Sequence, residues 1–256
     1  MQRRGFLTAA AGGALMGLSG CKVLDSAAKP GGAARGVLMA ASGLTYRTQR
    51  LLGGDALAPE FTTADIRQGQ KPNGTINPSD ADYQTLASAG FADWRLEVVG
   101  AVERPLRLSL AELQAMPART QITRHDCVEG WSCIAKWTGV PLSRLLDQAR
   151  PTQEARFVVF HCMDTIERSL SGLVKYYESI DLRDAVHPQT ILAYGLNDAP
   201  LPVANGAPLR VRVERQLGYK MAKYLHKIEL VAGVQGLGDG NGSYWADRGY
   251  EWYAGI

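Results

Sequence analysis

The chain has little cysteine or histidine: four of each in 256 residues. No C-x-x-C pair occurs, which removes a thioredoxin-type couple and a zinc ribbon, and no C-x-x-C-H occurs, which removes an attached c-type haem. His125, His161, His187 and His226 are too scattered to complete a zinc ligand set with the one cysteine-bearing loop. A strong charge of one sign is also absent. The formal net charge is +3, and about +1 without Arg3 and Arg4, so the footprint of a nucleic-acid binder is missing. No internal repeat occurs, which argues against a solenoid or propeller. What is present is ordinary: 46% hydrophobic and 21% charged residues, the balance of a globular protein with enough chain for one large or two small domains.

The amino terminus reads as an address rather than as fold. Arg3-Arg4 followed by Phe6-Leu7 has the form of a twin-arginine export signal, and the stretch from Gly5 to Cys21 is uncharged. It is short and glycine-rich, whereas a spanning helix wants about 20 predominantly apolar residues. Leu18-Ser19-Gly20-Cys21 looks like a lipobox, in which Cys21 would carry a lipid; a plain soluble signal is the alternative. These residues predict a signal over 1–21, a flexible Ala/Gly/Pro-rich tether over 22–43 and a folded domain over 44–256. The localisation they predict is periplasmic or cell-envelope, with membrane contact only through the lipid.

With Cys21 set aside, Cys127, Cys133 and Cys162 remain, an odd number for an oxidising compartment. Cys127 lies in the run Arg124-His125-Asp126-Cys127-Val128-Glu129-Gly130-Trp131-Ser132-Cys133. Arg124 and His125 favour its thiolate, while Asp126 and Glu129 oppose it. A metal ion would hold the thiolate whatever its acidic neighbours prefer, so the local charges lean toward a ligand. A structural disulfide between Cys127 and Cys133 is the plainer alternative. Cys162 and Cys133 read as small buried hydrophobes.

Period and punctuation predict an α+β domain, mixed and strand-rich. A short helix is expected over 44–52, and turns at Pro72-Asn73-Gly74 and Asn77-Pro78-Ser79. Strands are expected from Trp94 to Gly100, through Gln121 to His125, from Arg156 to Cys162, from Thr190 to Tyr194 and from Leu209 to Val213, with Tyr224–Val231 closing the sheet. Ser109-Leu110-Ala111-Glu112 forms a capping box for a short helix ending near Met116-Pro117, and Pro141 opens another carrying Leu142, Leu145 and Leu146. Asn197-Asp198 is a turn. Arg210 and Arg212 share one face of their strand, either toward solvent or as a floor for an anion. The aromatic tail, including Tyr244, Trp245, Tyr250, Trp252 and Tyr253, is expected to pack over the domain.

Three spaced motifs then carry a resemblance: the Cys127 loop with Trp137-Thr138-Gly139-Val140-Pro141-Leu142; Leu201-Pro202-Val203 with Asn205-Gly206-Ala207-Pro208-Leu209-Arg210; and Gly218-Tyr219-Lys220 through Lys223. From about Phe91 to Val231 the chain resembles the oxidoreductase molybdopterin-binding domain of the sulfite oxidase family. The resemblance implies a molybdenum-molybdopterin cofactor with Cys127 as the protein's metal ligand, soft sulfur suiting a metal that cycles between oxidation states. By motif, Asn205, Arg210, Met221, Ala222 and Lys223 stand at pterin-binding positions of the family's methionine-sulfoxide reductase branch. Asn73 matches an early asparagine there, and Cys162 falls where that branch has threonine. Gly74-Thr75-Ile76 departs from the pattern after Asn73. Asp126 and Glu129 read either as tuners or proton relays beside the metal, or as solvated loop acids, and Trp131 as a pocket wall.

The implied reaction is oxygen-atom transfer on a small sulfur or nitrogen oxide, with electrons exchanged with a separate cytochrome or membrane haem protein. After the cysteine the chain reads Val-Glu-Gly-Trp, nearer the reductase branch than the sulfite oxidases, so sulfite oxidation to sulfate is the alternative. A metal-free thiol redox lipoprotein using Cys127 and Cys133, or a binding lipoprotein, is the reading from another class. Neither accounts for the Asn205–Lys223 motifs.

Overall fold

A computed structural model describes residues 33–67, 69–169 and 172–256. The twin-arginine segment, the lipobox and the tether as far as residue 32 lie outside the described residues. The remainder forms two compact units, divided after Gly54. The first contains α1, Ala33–Gly53. The helix expected over 44–52 thus starts earlier and takes in residues 33–43 of the expected tether, because Leu, Met and Ala in that stretch favour helix enough to carry Gly36 and Gly43. No helix among the described residues is long and apolar enough to cross a membrane.

The second unit, Asp55–Ile256, holds every other element. In chain order these are α2 (Ala81–Ser88), β1 (Arg95–Gly100), β2 (Leu106–Ser109), α3 (Leu110–Ala115), β3 (Arg119–Cys127), β4 (Trp131–Pro141), α4 (Leu142–Ala149), β5 (Phe157–Ser169), β6 (Gly172–Asp181), α5 (Leu182–Ala185), β7 (Ile191–Leu196), β8 (Ala199–Pro200), β9 (Arg210–Arg212) and β10 (Leu225–Val231). One five-stranded sheet runs β2-β1-β10-β5-β6, and another runs β3-β4-β7-β8 with β9 also paired to β7. This is the mixed, strand-rich α+β architecture expected.

Local chemistry accounts for several elements. Ser109 Oγ accepts from the Glu112 amide at 3.2 Å while Glu112 accepts from the Ser109 amide at 2.7 Å, the capping box that starts α3. In α4, Leu142, Leu145, Leu146 and Ala149 form the buried face, spaced as one side of a helix. Asn197 and Asp198, both at positive φ, turn β7 back into β8. Gly139 brings β4 against β7: a Cβ there would lie 2.2 Å from the Leu192 carbonyl oxygen.

One strand expectation needs correction, and for another strand one of two alternatives falls away. The Tyr224–Val231 strand does not close its sheet; β10 lies at the centre, parallel to β1 and antiparallel to β5, because Leu225, Ile228 and Leu230 are buried and both of its edges are paired. The arginines of β9 do not face solvent either. Arg210 and Arg212 are 2% and 0% exposed, stacked near the Trp137 ring at 5.0 and 4.3 Å.

Candidate active site

Cys127 ends β3 and pairs with Trp131 at the start of β4, leaving Val128-Glu129-Gly130 as a three-residue loop. Gly130 sits at φ +84°, and its amide donates to the Cys127 carbonyl at 3.0 Å. A glycine in the left-handed position is what a hairpin loop of this length favours. The thiol is buried and faces a cleft with a volume of about 100 Å³. Burial pushes its pKa up; the nearby Glu129 charge adds to this, while the Glu129 and Val128 amides and Lys71 oppose it. Cys127, Cys133 and Cys162 are all free thiols, so the Cys127–Cys133 disulfide alternative fails. Among the described residues no three His, Cys, Asp or Glu side chains converge as a metal cage.

The two acids flanking Cys127 part company. Asp126 is held by Arg124 Nε at 3.0 Å and by the Ser132 hydroxyl, and does not line the cleft. Glu129 does line it, and accepts from the Trp131 indole at 2.9 Å. Trp131 itself stands outside the lining; the aromatic wall comes instead from Tyr176, Tyr219 and Trp245, the last from the tail.

Asn73, Met221 and Lys223 join Cys127 in the cleft wall. Lys223 Nζ donates to the carbonyls of Asn73 at 2.7 Å and Ala204 at 2.9 Å, and also to Thr75. Burial, helped by the Arg210 charge, lowers its pKa to about 7. Asn205, Arg210, Ala222 and Cys162 stand behind that wall. Arg210 donates to the Asn205 carbonyl at 3.0 Å and the Met221 carbonyl at 3.2 Å, its Nε has no hydrogen-bond partner among the described residues, and burial lowers its pKa to about 9. Asn205 reaches the Gln70 carbonyl at 3.5 Å. Ala222 accepts from the Val211 amide at 2.9 Å, tying β9 to the Lys223 segment. Cys162 is 1% exposed, and burial holds its thiol protonated well above the ordinary range.

His125, expected to favour the Cys127 thiolate, carries no charge with which to do so, and Asp164 was not expected in the site at all. His125, 1% exposed, accepts from Arg212 at 2.8 Å through Nδ1, and burial together with that guanidinium keeps it neutral. Its ring lies against Gly218, where a Cβ would come within 2.4 Å of Nε2, so the Gly218–Lys220 turn requires glycine to approach the Cys127 hairpin. Asp164 lies in the cleft wall although the apolar run of its strand ends at Cys162. The donor set fits a metal-bearing pterin: a soft thiol, a buried ammonium and a buried carboxylate in one cleft, with the Arg210 guanidinium behind its wall.

A sequence model of the oxidoreductase molybdopterin binding domain matches residues 83–235. The chain is 34% identical over 244 residues to an Azospira oryzae protein provisionally named protein-methionine-sulfoxide reductase subunit YedZ1, covering 95% of this chain and 83% of that one. It is 40% identical to the protein-methionine-sulfoxide reductase catalytic subunit MsrP of Xanthomonas campestris, covering 55% of this chain and 46% of that one. It is 35% identical to MsrP of Campylobacter jejuni, covering 54% and 48%. The chain therefore spans about half the length of the two MsrP relatives. Among solved structures, the sulfane dehydrogenase SoxCD of Paracoccus pantotrophus aligns at 20% identity and TM-score 0.48, over 70% of this chain and 45% of that one.

Proposed function

The chain belongs to the oxidoreductase molybdopterin-binding domain family, that of sulfite oxidase, and we propose that it reduces a sulfoxide of the methionine-sulfoxide type, with Cys127 as its metal ligand. It is a molybdopterin-dependent oxidoreductase, and its cofactor is molybdenum-molybdopterin. The observation that carries the reading is the meeting, in one cleft, of a free thiol and a buried ammonium hydrogen-bonded to carbonyls.

Molybdenum, when bound, supplies two-electron oxygen-atom exchange. The chain's own groups do the rest. Cys127 offers a soft donor whose proton leaves on ligation, since a metal reverses the penalty that burial and Glu129 place on the thiolate. Lys223, with Arg210 behind it, places positive charge where a terminal phosphate can settle, and Met221 and Ala222 bring backbone to the same place. Asn73 holds Lys223 through its carbonyl. Cys162 supports this wall from behind.

Direction follows from two features. The relatives are named for methionine-sulfoxide reduction, and the cleft rim carries Val128, Ile166 and Trp245, apolar groups that suit the alkyl arms of a sulfoxide better than a sulfite dianion. Electrons come from a separate partner, a cytochrome or membrane haem protein. The Arg3-Arg4 signal and Cys21 support a periplasmic, lipid-tethered enzyme exported by the twin-arginine route.

The test is a substrate panel on chemically reduced holoenzyme. Methionine sulfoxide should reoxidise it, with N-oxides slower, and sulfite should not reduce an added acceptor. A response to sulfite alone would reverse the direction.

A further inference from the structure

Helix α1 turns an apolar face to solvent. Val37 is 70% exposed, Leu44 66%, Leu51 82% and Leu52 81%, although most large apolar side chains of the second unit are withdrawn from water. At about 100° per residue these four fall on one side of the helix with the exposed Ala41 and Thr48, while Tyr46 and the buried Arg50 fall on the other. Exposed Arg47 flanks the apolar side. A contiguous apolar strip with a basic border marks a surface that is covered in use.

Charge selects the occupant. Residues 22–54 hold five bases, Lys22, Lys29, Arg35, Arg47 and Arg50, against the single acid Asp25, a net +4; residues 55–256 hold 21 bases against 24 acids, a net −3. Attraction to an anionic surface is therefore concentrated in the segment that carries the helix. A second copy would bring Arg47 against Arg47 with no acid in either helix to offset it. An anionic bilayer meets both features, its acyl boundary taking the leucines and its headgroups the arginines. We infer that α1 is a membrane-surface helix, lying in the headgroup layer of an anionic bilayer with Val37, Leu44, Leu51 and Leu52 turned inward. Among the described residues no helix is long and apolar enough to cross, so the contact lies in the interface. A lipid at Cys21, part of the proposed function, would keep the helix start within about 40 Å of the bilayer, the full reach of residues 22–32. The helix adds a second contact to that anchor, and one whose strength depends on lipid charge.

The experiment places a polarity-sensitive fluorophore on Leu44→Cys and Leu51→Cys of the exported full chain, with wild type carried through the same labelling as background, since Cys127, Cys133 and Cys162 are buried. Vesicles are phosphatidylcholine alone or phosphatidylcholine with phosphatidylglycerol. Both labels should shift to the blue and brighten on the order of threefold with the anionic vesicles, and less with the neutral ones. A label on Val186→Cys, an exposed apolar site of the second unit, should not respond. Adding Arg47→Glu to the Leu44→Cys chain should raise the anionic vesicle concentration for half-maximal signal roughly tenfold. A chain that floats with the vesicles while both labels stay in water would leave the lipid at Cys21 standing and overturn the helix contact. An equal response to neutral and anionic vesicles would overturn it as well. So would a blue shift without vesicles that grows with protein concentration, which marks a second copy as the occupant.

Discussion

Four cations of the Arg210–Lys223 segment are buried, and they divide into two pairs. Arg212 and Lys220 have carboxylate partners, Glu214 at 2.6 Å and Glu178 at 2.5 Å, with all four side chains 0% exposed. Among the described residues, Arg210 and Lys223 have no carboxylate bonded to them and hydrogen-bond to carbonyl oxygens. Desolvating a charge costs several kcal/mol unless it is matched, so the first pair is complete within the fold and the second is complete only with an anion from outside. The neutralised cations brace the framework, while the unneutralised ones mark the cofactor. The cysteines divide likewise: Cys127 lines the cleft, whereas Cys133 is buried opposite His125 in the hairpin.

The sharpest way to break this division is to truncate each thiol. Cys127→Ala should lose molybdenum almost completely, while Cys133→Ala keeps it, because only the first thiol faces the cleft. Elemental analysis of both purified variants decides, and equal retention would contradict the assignment of the metal ligand.

The next largest effect should come from the framework cations. Arg212→Met strands Glu214 in the core with Gln121, which donates to it at 2.8 Å, and takes from His125 the donor at Nδ1. Breaking one side of a buried pair costs about 3–5 kcal/mol, or a Tm drop on the order of 10 °C in a domain this size. Arg210→Met strands no carboxylate and removes a poorly compensated charge, so the stripped protein should lose under about 1 kcal/mol while its pterin content falls. Thermal melts of stripped protein and pterin assays of holoenzyme should rank the two variants in opposite orders.

How far the sequence foretold this depends on what each residue was paired with. The strand leading into the Cys127 loop was legible from Gln121 to His125, whereas β4 after the loop was not expected; the capping box at Ser109 was legible because its bonds are local. The place of β10 was not legible, since parallel pairing with β1 joins residues more than a hundred positions apart. β6 escaped notice because it buries Glu178 and Ser179 as well as Tyr176 and Ile180, so no apolar pattern marks it. Asp164 was hidden because β5 continues past Cys162 with mixed polar residues after the apolar run that announced it. The neutralised and unneutralised arginines of β9 look alike in sequence. Only the position of Glu214 against one of them tells them apart.

The smallest effect, and the most specific to an unneutralised cation, is in pH. Lys223 has its pKa lowered in the folded protein to about 7 by burial and by Arg210, against about 10.4 in an unfolded chain. Between those values the unfolded state binds the proton that the folded state has given up, so stability rises with pH across that window. Below pH 7 both states are protonated, and the penalty for burying the charge is present in full. Stripped wild type should therefore gain about 1–2 kcal/mol between pH 7 and 8.5 relative to Lys223→Met, which has no such group. Bound cofactor should erase the difference, because a phosphate beside the ammonium restores its affinity for the proton. Urea melts at the two pH values, with and without cofactor, measure both halves. A slope that is the same in Lys223→Met would mean that the fold already balances the charge of Lys223.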